Sequence, residues 1–178
     1  MSRSTENVSR NGSKAAHKMH DTHNDMPQKT REKMAELLNA RLADVSDLTS
    51  QARTAHWNVK GPQFIALHKL FDEVYENLGE QADLVAERCV QLGGTAKGTV
   101  RLAAQHSQLE EYPIDIFACE DHVRELSKRL AAYGKALREA IDASEEADDM
   151  GTSDMFTGMV LEIDKWVWMV EAHIQESR

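Results

Sequence analysis

The sequence predicts an all-α protein, an antiparallel bundle of four long helices preceded by a flexible segment. Only three prolines and nine glycines occur among 178 residues. The remainder is rich in Ala, Leu, Glu, Arg, Lys and Gln, which favour helices. Apolar residues recur at spacings of three and four along several long stretches. Short breaks separate these stretches, as in bundles whose neighbouring helices run antiparallel.

The chain divides into a tail, residues 1–28, and a bundle, residues 29–178. The tail is polar, has no hydrophobic periodicity and ends near Pro27, so we expect a mobile basic extension. The breaks at Gly61-Pro62 and Gly93-Gly94 end the first two long helices. In chain order, and including one short helix in the connection between the second and third long ones, the predicted helices are 31–58, 63–92, 99–107, 115–143 and 152–176.

The net charge of −9 conceals a difference between the two ends. Residues 1–34 contain seven Lys or Arg and four Asp or Glu, a surplus of three positive charges that leaves −12 for residues 35–178. An acidic body attracts cations and repels nucleic acid, so any DNA binding would have to come from the tail.

The sequence shows no apolar run typical of a signal peptide or a membrane-spanning helix. We therefore expect a cytoplasmic protein that does not contact a membrane. Cys89 and Cys119 both lie in helical, apolar contexts, which favours reduced, structural cysteines.

A stripe of metal-binding side chains follows the second helix. His68, Asp72, Asp83 and Glu87 fall on one face at about 100° per residue, as two pairs spaced i, i+4, and His56 is near enough to join one pair. Eleven residues, roughly 16 Å, separate the pairs, so one metal ion cannot bind both within a chain. Two chains related by a two-fold axis would combine them into two equivalent sites. The alternative is an ordinary solvated helix face.

Four segments closely resemble the Dps family of mini-ferritins: AHWNVKGPQFIALHKLFDE at 55–73, DLVAERCVQLGGTAKGT at 83–99, YPIDIF at 112–117 and DKWVWMVEAHIQE at 164–176. The resemblance implies ferritin-like bundles assembled into a hollow homododecamer. It also implies oxidation of Fe(II), chiefly by hydrogen peroxide, and storage of ferric mineral. Glu-x-x-His, which ferritin-like di-iron bundles use within one chain, is absent, which leaves either a shared site or no site.

Carried over by position, the resemblance assigns the ferroxidase and metal ligands to His56, His68 and Asp72 of one subunit and Asp83 and Glu87 of its two-fold mate. Iron is the implied metal, and zinc is a candidate non-oxidised substitute. Trp57 resembles the family's tryptophan beside the site, with a packing role as the alternative, and Trp166 and Trp168 are interpreted as structural.

Asp149 and Asp154, in the acidic turn before the last helix, resemble the family's iron-entry pore; the alternative is a solvated turn. The tail cations Arg3, Arg10, Lys14 and Lys18 fit non-specific DNA binding by many copies at once, and so a nucleoid location. His17, His20 and His23 are weaker candidates for metal binding. Gly79 within the second helix costs about 1 kcal/mol relative to alanine, and the sequence offers no reason for it.

Two other functions remain open. The protein could be a DNA-compacting protein with a weak or inactive metal site, or a purely structural helical assembly. The structural assembly would leave the five metal-binding residues unexplained.

Overall fold

The computed structural model describes residues 19–175, which form five helices. They are α1 (Gln28–Asn58), α2 (Phe64–Gln91), α3 (Val100–His106), α4 (Cys119–Glu145) and α5 (Met150–Glu171). Four are long, and α3 is the short helix predicted between the second and third long ones. The predicted all-α, four-helix fold is confirmed.

Specific contacts set where α5 and α4 begin. At the turn between them, the Asp149 carboxylate accepts a hydrogen bond from the Thr152 amide at 3.0 Å and starts α5 at Met150, as an N-cap does. At its other end α4 begins at Cys119, four residues later than predicted. Backbone hydrogen bonds from Lys60 to Phe117 (2.8 Å) and from Cys119 to Lys60 (3.1 Å) hold the preceding chain extended.

The bundle consists of two antiparallel hairpins. Short turns join α1 to α2 and α4 to α5, and each hairpin packs along its length. The bridge between Lys60 and Ala118 places the beginnings of α2 and α4 at the same end of the bundle. The long connection that contains α3 must therefore return along the bundle, and α3 packs on α1. This is the connection in which the sequence predicts the short helix.

The hydrophobic core runs along the whole bundle, between the faces predicted from the apolar spacing. Its largest fully buried side chains come from every long helix: Met34, Leu38, Leu48, Leu67, Phe71, Leu78, Leu92, Leu126, Leu130, Tyr133, Leu137 and Phe156. Burying such side chains contributes about 1.5–3 kcal/mol each relative to exposure. The core therefore supports the helices that carry the metal-binding side chains.

The described part of the predicted tail, residues 19–27, lies against the bundle. Met19 and Met26 pack against the core, and the His20 amide donates to the Gly93 carbonyl at 2.7 Å. Arg31 adds hydrogen bonds to the carbonyls of Met26 (3.1 Å) and Leu92 (2.9 Å). Gly93 has a φ of 85°, a conformation that disfavours side chains. The expected mobile extension thus does not describe residues 19–27.

Both cysteines are free and buried, which agrees with a structural role. In the part of the chain that the structure describes, no helix is long and apolar enough to cross a membrane.

Candidate metal centre

His56 near the end of α1 and His68 in the first turns of α2 face each other across the α1–α2 turn. Their rings stack with centroids 3.7 Å apart and planes 23° from parallel. The Nδ1 atom of His56 lies 2.7 Å from the carbonyl oxygen of His68, and that of His68 lies 2.9 Å from the carbonyl oxygen of His56. A carbonyl oxygen only accepts hydrogen bonds, so both Nδ1 atoms carry hydrogen.

This reciprocal bonding determines what the two imidazoles can do chemically. In the neutral ring with hydrogen on Nδ1, the Nε2 atom keeps a lone pair and can bind a metal ion. Histidine ligands in proteins usually donate their other ring N–H to a carbonyl or carboxylate, which orients the ring. The backbone thus orients both rings and leaves Nε2 of each as the nitrogen that can bind a metal.

Asp72 lies one turn after His68 on α2, close to the His56 ring. Its Oδ1 atom is 3.8 Å from Nδ1 of His56. The same oxygen accepts a hydrogen bond from Nη1 of Arg53, one turn before His56 on α1. The structure therefore brings Asp72 near the His56 ring and pairs it with Arg53, and its role as a metal ligand stays a prediction.

Asp83 and Glu87 lie farther along α2, and both are exposed. The eleven residues between Asp72 and Asp83 correspond to roughly 16 Å of helix. Within residues 19–175, no three His, Cys, Asp or Glu side chains lie close enough to hold a metal ion together. The assignment of all five ligands to one shared site stays a prediction.

The three tryptophans differ in exposure. Trp166 is 6% exposed, and its Nε1 donates to Oδ1 of Asn77 at 2.8 Å, which agrees with a structural role. Trp168 is 65% exposed, so the interpretation of this residue as structural was wrong for a single chain. Trp57 is 66% exposed beside His56, which does not support a packing role within the chain.

Asp149 and Asp154, the two residues assigned to an entry pore, occupy different environments. Asp149 is 2% exposed and caps α5, and its Oδ1 accepts a hydrogen bond from Nη2 of Arg88 on α2 at 2.8 Å. Its carboxylate is already paired, so a structural role explains Asp149 better than a cation-attracting one. Asp154 is exposed, and its assignment to a pore stays a prediction.

The predicted DNA-binding residues Arg3, Arg10, Lys14 and Lys18 lie outside the described residues, as does His17. His20 and His23 are described and exposed. Neither belongs to a group of three potential metal ligands within the described chain.

Sequence reasoning missed Arg53. The available signal was its spacing, because a residue three before His56 lies on the same helix face. It also missed a buried polar pair: His122 on α4 is 1% exposed, with Nδ1 2.9 Å from the Tyr112 hydroxyl oxygen. Burial lowers the pKa of His122 from its ordinary 6.5, although contacts with Ile116, Asp121 and Asn58 act in the opposite direction.

The helical bundle matches a known class. The Ferritin family, described as the ferritin-like domain, matches residues 35–178. The protein is therefore a ferritin-like protein. The DNA protection during starvation protein of Agrobacterium fabrum is 43% identical over 160 residues, which cover 90% of this chain and 99% of that protein.

Solved structures agree with this relationship. Dps from Mycobacterium smegmatis superposes with a TM-score of 0.83 at 28% identity, covering 88% of this chain and 95% of the other. DpsA14 from Streptomyces coelicolor gives 0.85 at 27% identity, with 91% and 96% covered. The chain belongs to the Dps family of ferritin-like proteins.

Proposed function

We propose that this protein oxidises Fe(II), chiefly with hydrogen peroxide, at sites shared between two subunits, and stores the ferric product in a hollow dodecamer. The observation that carries this proposal is the His56–His68 pair. The backbone fixes both rings in the metal-binding tautomer beside the Asp72 carboxylate. Stacking of the two rings does not by itself require hydrogen on Nδ1 of each ring.

The remaining ligands come from a second copy in this proposal, and the positions along α2 support one arrangement. His68 and Glu87 are equidistant from the point between Asn77 and Leu78, and so are Asp72 and Asp83. A two-fold axis through that point, with the two α2 helices antiparallel, brings each residue opposite its counterpart. A single axis thus aligns both pairs.

Exposed apolar residues favour the same axis. Ile65 and Val90 are also equidistant from that point, and they lie within about 20° of Asp72 and Asp83 around the helix. Their side chains are 61% and 57% exposed in the single chain. In the antiparallel pairing each would cover the other, which gives the two helices an apolar contact at both ends of the interface.

The donor set suits iron as a substrate. Imidazole nitrogens bind Fe(II), and carboxylate oxygens favour the oxidised metal. Two Fe(II) ions give one electron each to hydrogen peroxide. Its O–O bond breaks, and two protons complete two water molecules. The protein holds the metal ions and orients them, and the acidic surface concentrates cations, with Asp154 as the exposed candidate at the entry.

Mixing two inactive variants tests the shared site directly. His68→Ala and Asp83→Ala should each abolish rapid ferric absorbance when peroxide is added to protein loaded anaerobically with Fe(II). Co-assembled subunits should recover about a quarter of wild-type activity, since half of the pairs are mixed and each mixed pair contains one intact site of two. No recovery in demonstrably mixed oligomers would contradict a shared site.

DNA binding through the tail is a second proposed activity. It is supported by the tail cations Arg3, Arg10, Lys14 and Lys18 and by relatives named for DNA protection. Deleting residues 1–18 should abolish retardation of DNA on a gel and leave iron oxidation intact. If only DNA binding is found in the full protein, the alternative of a DNA-compacting protein with an inactive metal site is correct.

A further inference from the structure

Arg53 occupies the position from which a cation competes with a metal ion for Asp72. Its guanidinium pairs with Oδ1 of Asp72, the oxygen that lies 3.8 Å from the His56 ring. A guanidinium has no lone pair to offer a metal and keeps its charge throughout the physiological pH range. A cation bound to these ligands would therefore sit beside a permanent positive charge.

Two aromatic rings beside Arg53 offer the guanidinium a second position. Its Cζ atom lies 4.5 Å from the ring centroid of Tyr75 and 5.7 Å from that of Trp57. Both rings attract cations through their faces. The guanidinium can therefore release the Asp72 oxygen and remain close by, held by the aromatic rings.

The ion pair is weak enough to be displaced. The side chains of Arg53 and Asp72 are 33% and 41% exposed, and ion pairs at this level of exposure contribute little stability. A divalent cation, with twice the charge and two imidazole ligands beside the carboxylate, has the advantage over one guanidinium.

We propose that Arg53 is a built-in competitor of the metal: it neutralises Asp72 in the metal-free protein and lowers the affinity of the site for divalent cations. This inference rests on the proposed metal site. Its effect is to keep the site from retaining divalent cations tightly, which suits ions that must move on to storage.

Zn²⁺ is the probe that tests this, because it is not oxidised and its binding can be measured without turnover. Isothermal titration of the full protein should give a Kd for Arg53→Gln that is lower than the wild-type value by roughly two- to fivefold, the range expected for a partly exposed ion pair. The difference should shrink as ionic strength rises. Arg53→Lys, which keeps the charge, should remain near wild type.

Arg138→Gln is the matched control, since Arg138 and Asp164 form an ion pair of similar exposure away from the site. It should leave the Zn²⁺ affinity unchanged. Unchanged or weaker binding in Arg53→Gln would overturn the inference, because a residue that merely positions Asp72 weakens binding when it is removed. If Arg53→Gln does not fold, Arg53→Met, which keeps the apolar stem over Tyr75, provides the same comparison.

The proposed site and the role of Arg53 fail in different ways. If wild-type binding of Zn²⁺ is insensitive to His68→Ala, the proposed site itself is wrong. If His68→Ala abolishes binding but Arg53→Gln does not strengthen it, only the role of Arg53 is wrong.

Discussion

His56 and His68 each donate a ring hydrogen to the backbone carbonyl of the other, at 2.7 and 2.9 Å, while their rings stack 3.7 Å apart. The two residues come from different helices, so this contact also holds the beginning of α2 against the end of α1. Neither ring can turn without breaking a hydrogen bond. The arrangement leaves both Nε2 atoms free of these bonds.

Replacing His56 with phenylalanine should test the metal-binding role of the pair. The stacked ring is kept, but its Nε2 and its hydrogen bond are lost. Loss of a supporting partner of a ligand lowers metal affinity by about 10- to 100-fold. Loss of the ligand itself should lower it by at least as much, as measured by Zn²⁺ titration. His173→Phe, outside the proposed set of ligands, is the control and should bind Zn²⁺ normally. Normal affinity in His56→Phe would remove it from the site.

Asp149→Ala should destabilise the protein. The change removes the α5 N-cap, worth about 1 kcal/mol, and leaves the Arg88 guanidinium without its buried partner, for a total of about 3–5 kcal/mol. Urea denaturation of the purified protein measures the loss. Asp154→Ala, exposed in the same helix, should change stability by less than about 0.5 kcal/mol and instead slow iron uptake. Equal stability of both variants would contradict the structural role of Asp149.

Stability should fall on acidification because of His122. The folded protein lowers the pKa of this ring by burial, so the unfolded chain binds its proton more tightly. The stability gained by burying the neutral ring is fully present above the ordinary pKa of about 6.5. It is lost as the pH falls below that value towards the pKa of the folded protein. Thermal denaturation between about pH 7 and 5 should show a smaller decrease in Tm for His122→Gln than for wild type. Identical slopes would exclude this origin.

Gly79 lies close to the proposed two-fold axis, which offers a reason for a glycine within α2. A Cβ atom there would meet nothing within 4 Å in the single chain, so Gly79→Ala should favour the isolated helix by about 1 kcal/mol. If two α2 helices approach closely at this point, the same change should weaken the oligomer, as measured by sedimentation at decreasing concentration. Gly158→Ala on α5, equally open, is the control. An oligomer strengthened by Gly79→Ala would exclude a close crossing there.

The helices themselves were predictable from local sequence. Apolar residues such as Leu38, Leu42 and Val45 recur once per turn, and this spacing determines which face of a helix is buried. Gly93-Gly94 ended α2 as expected, because a glycine adopts the positive φ that side chains disfavour. The i, i+4 spacing of His68 with Asp72 and of Asp83 with Glu87 likewise placed each pair on one face.

The tertiary structure decided which side chains meet across helices, because such contacts depend on packing between segments distant in sequence. The Arg53–Asp72 ion pair, the burial of Asp149 against Arg88 and the packing of residues 19–27 on the bundle are all of this kind. The local pattern around Asp149 is that of an exposed acidic turn, and only the approach of α2 buries it. By itself the sequence determined the fold class and the candidate ligands, whereas packing determined the tautomers of the histidines and the partner of Asp72.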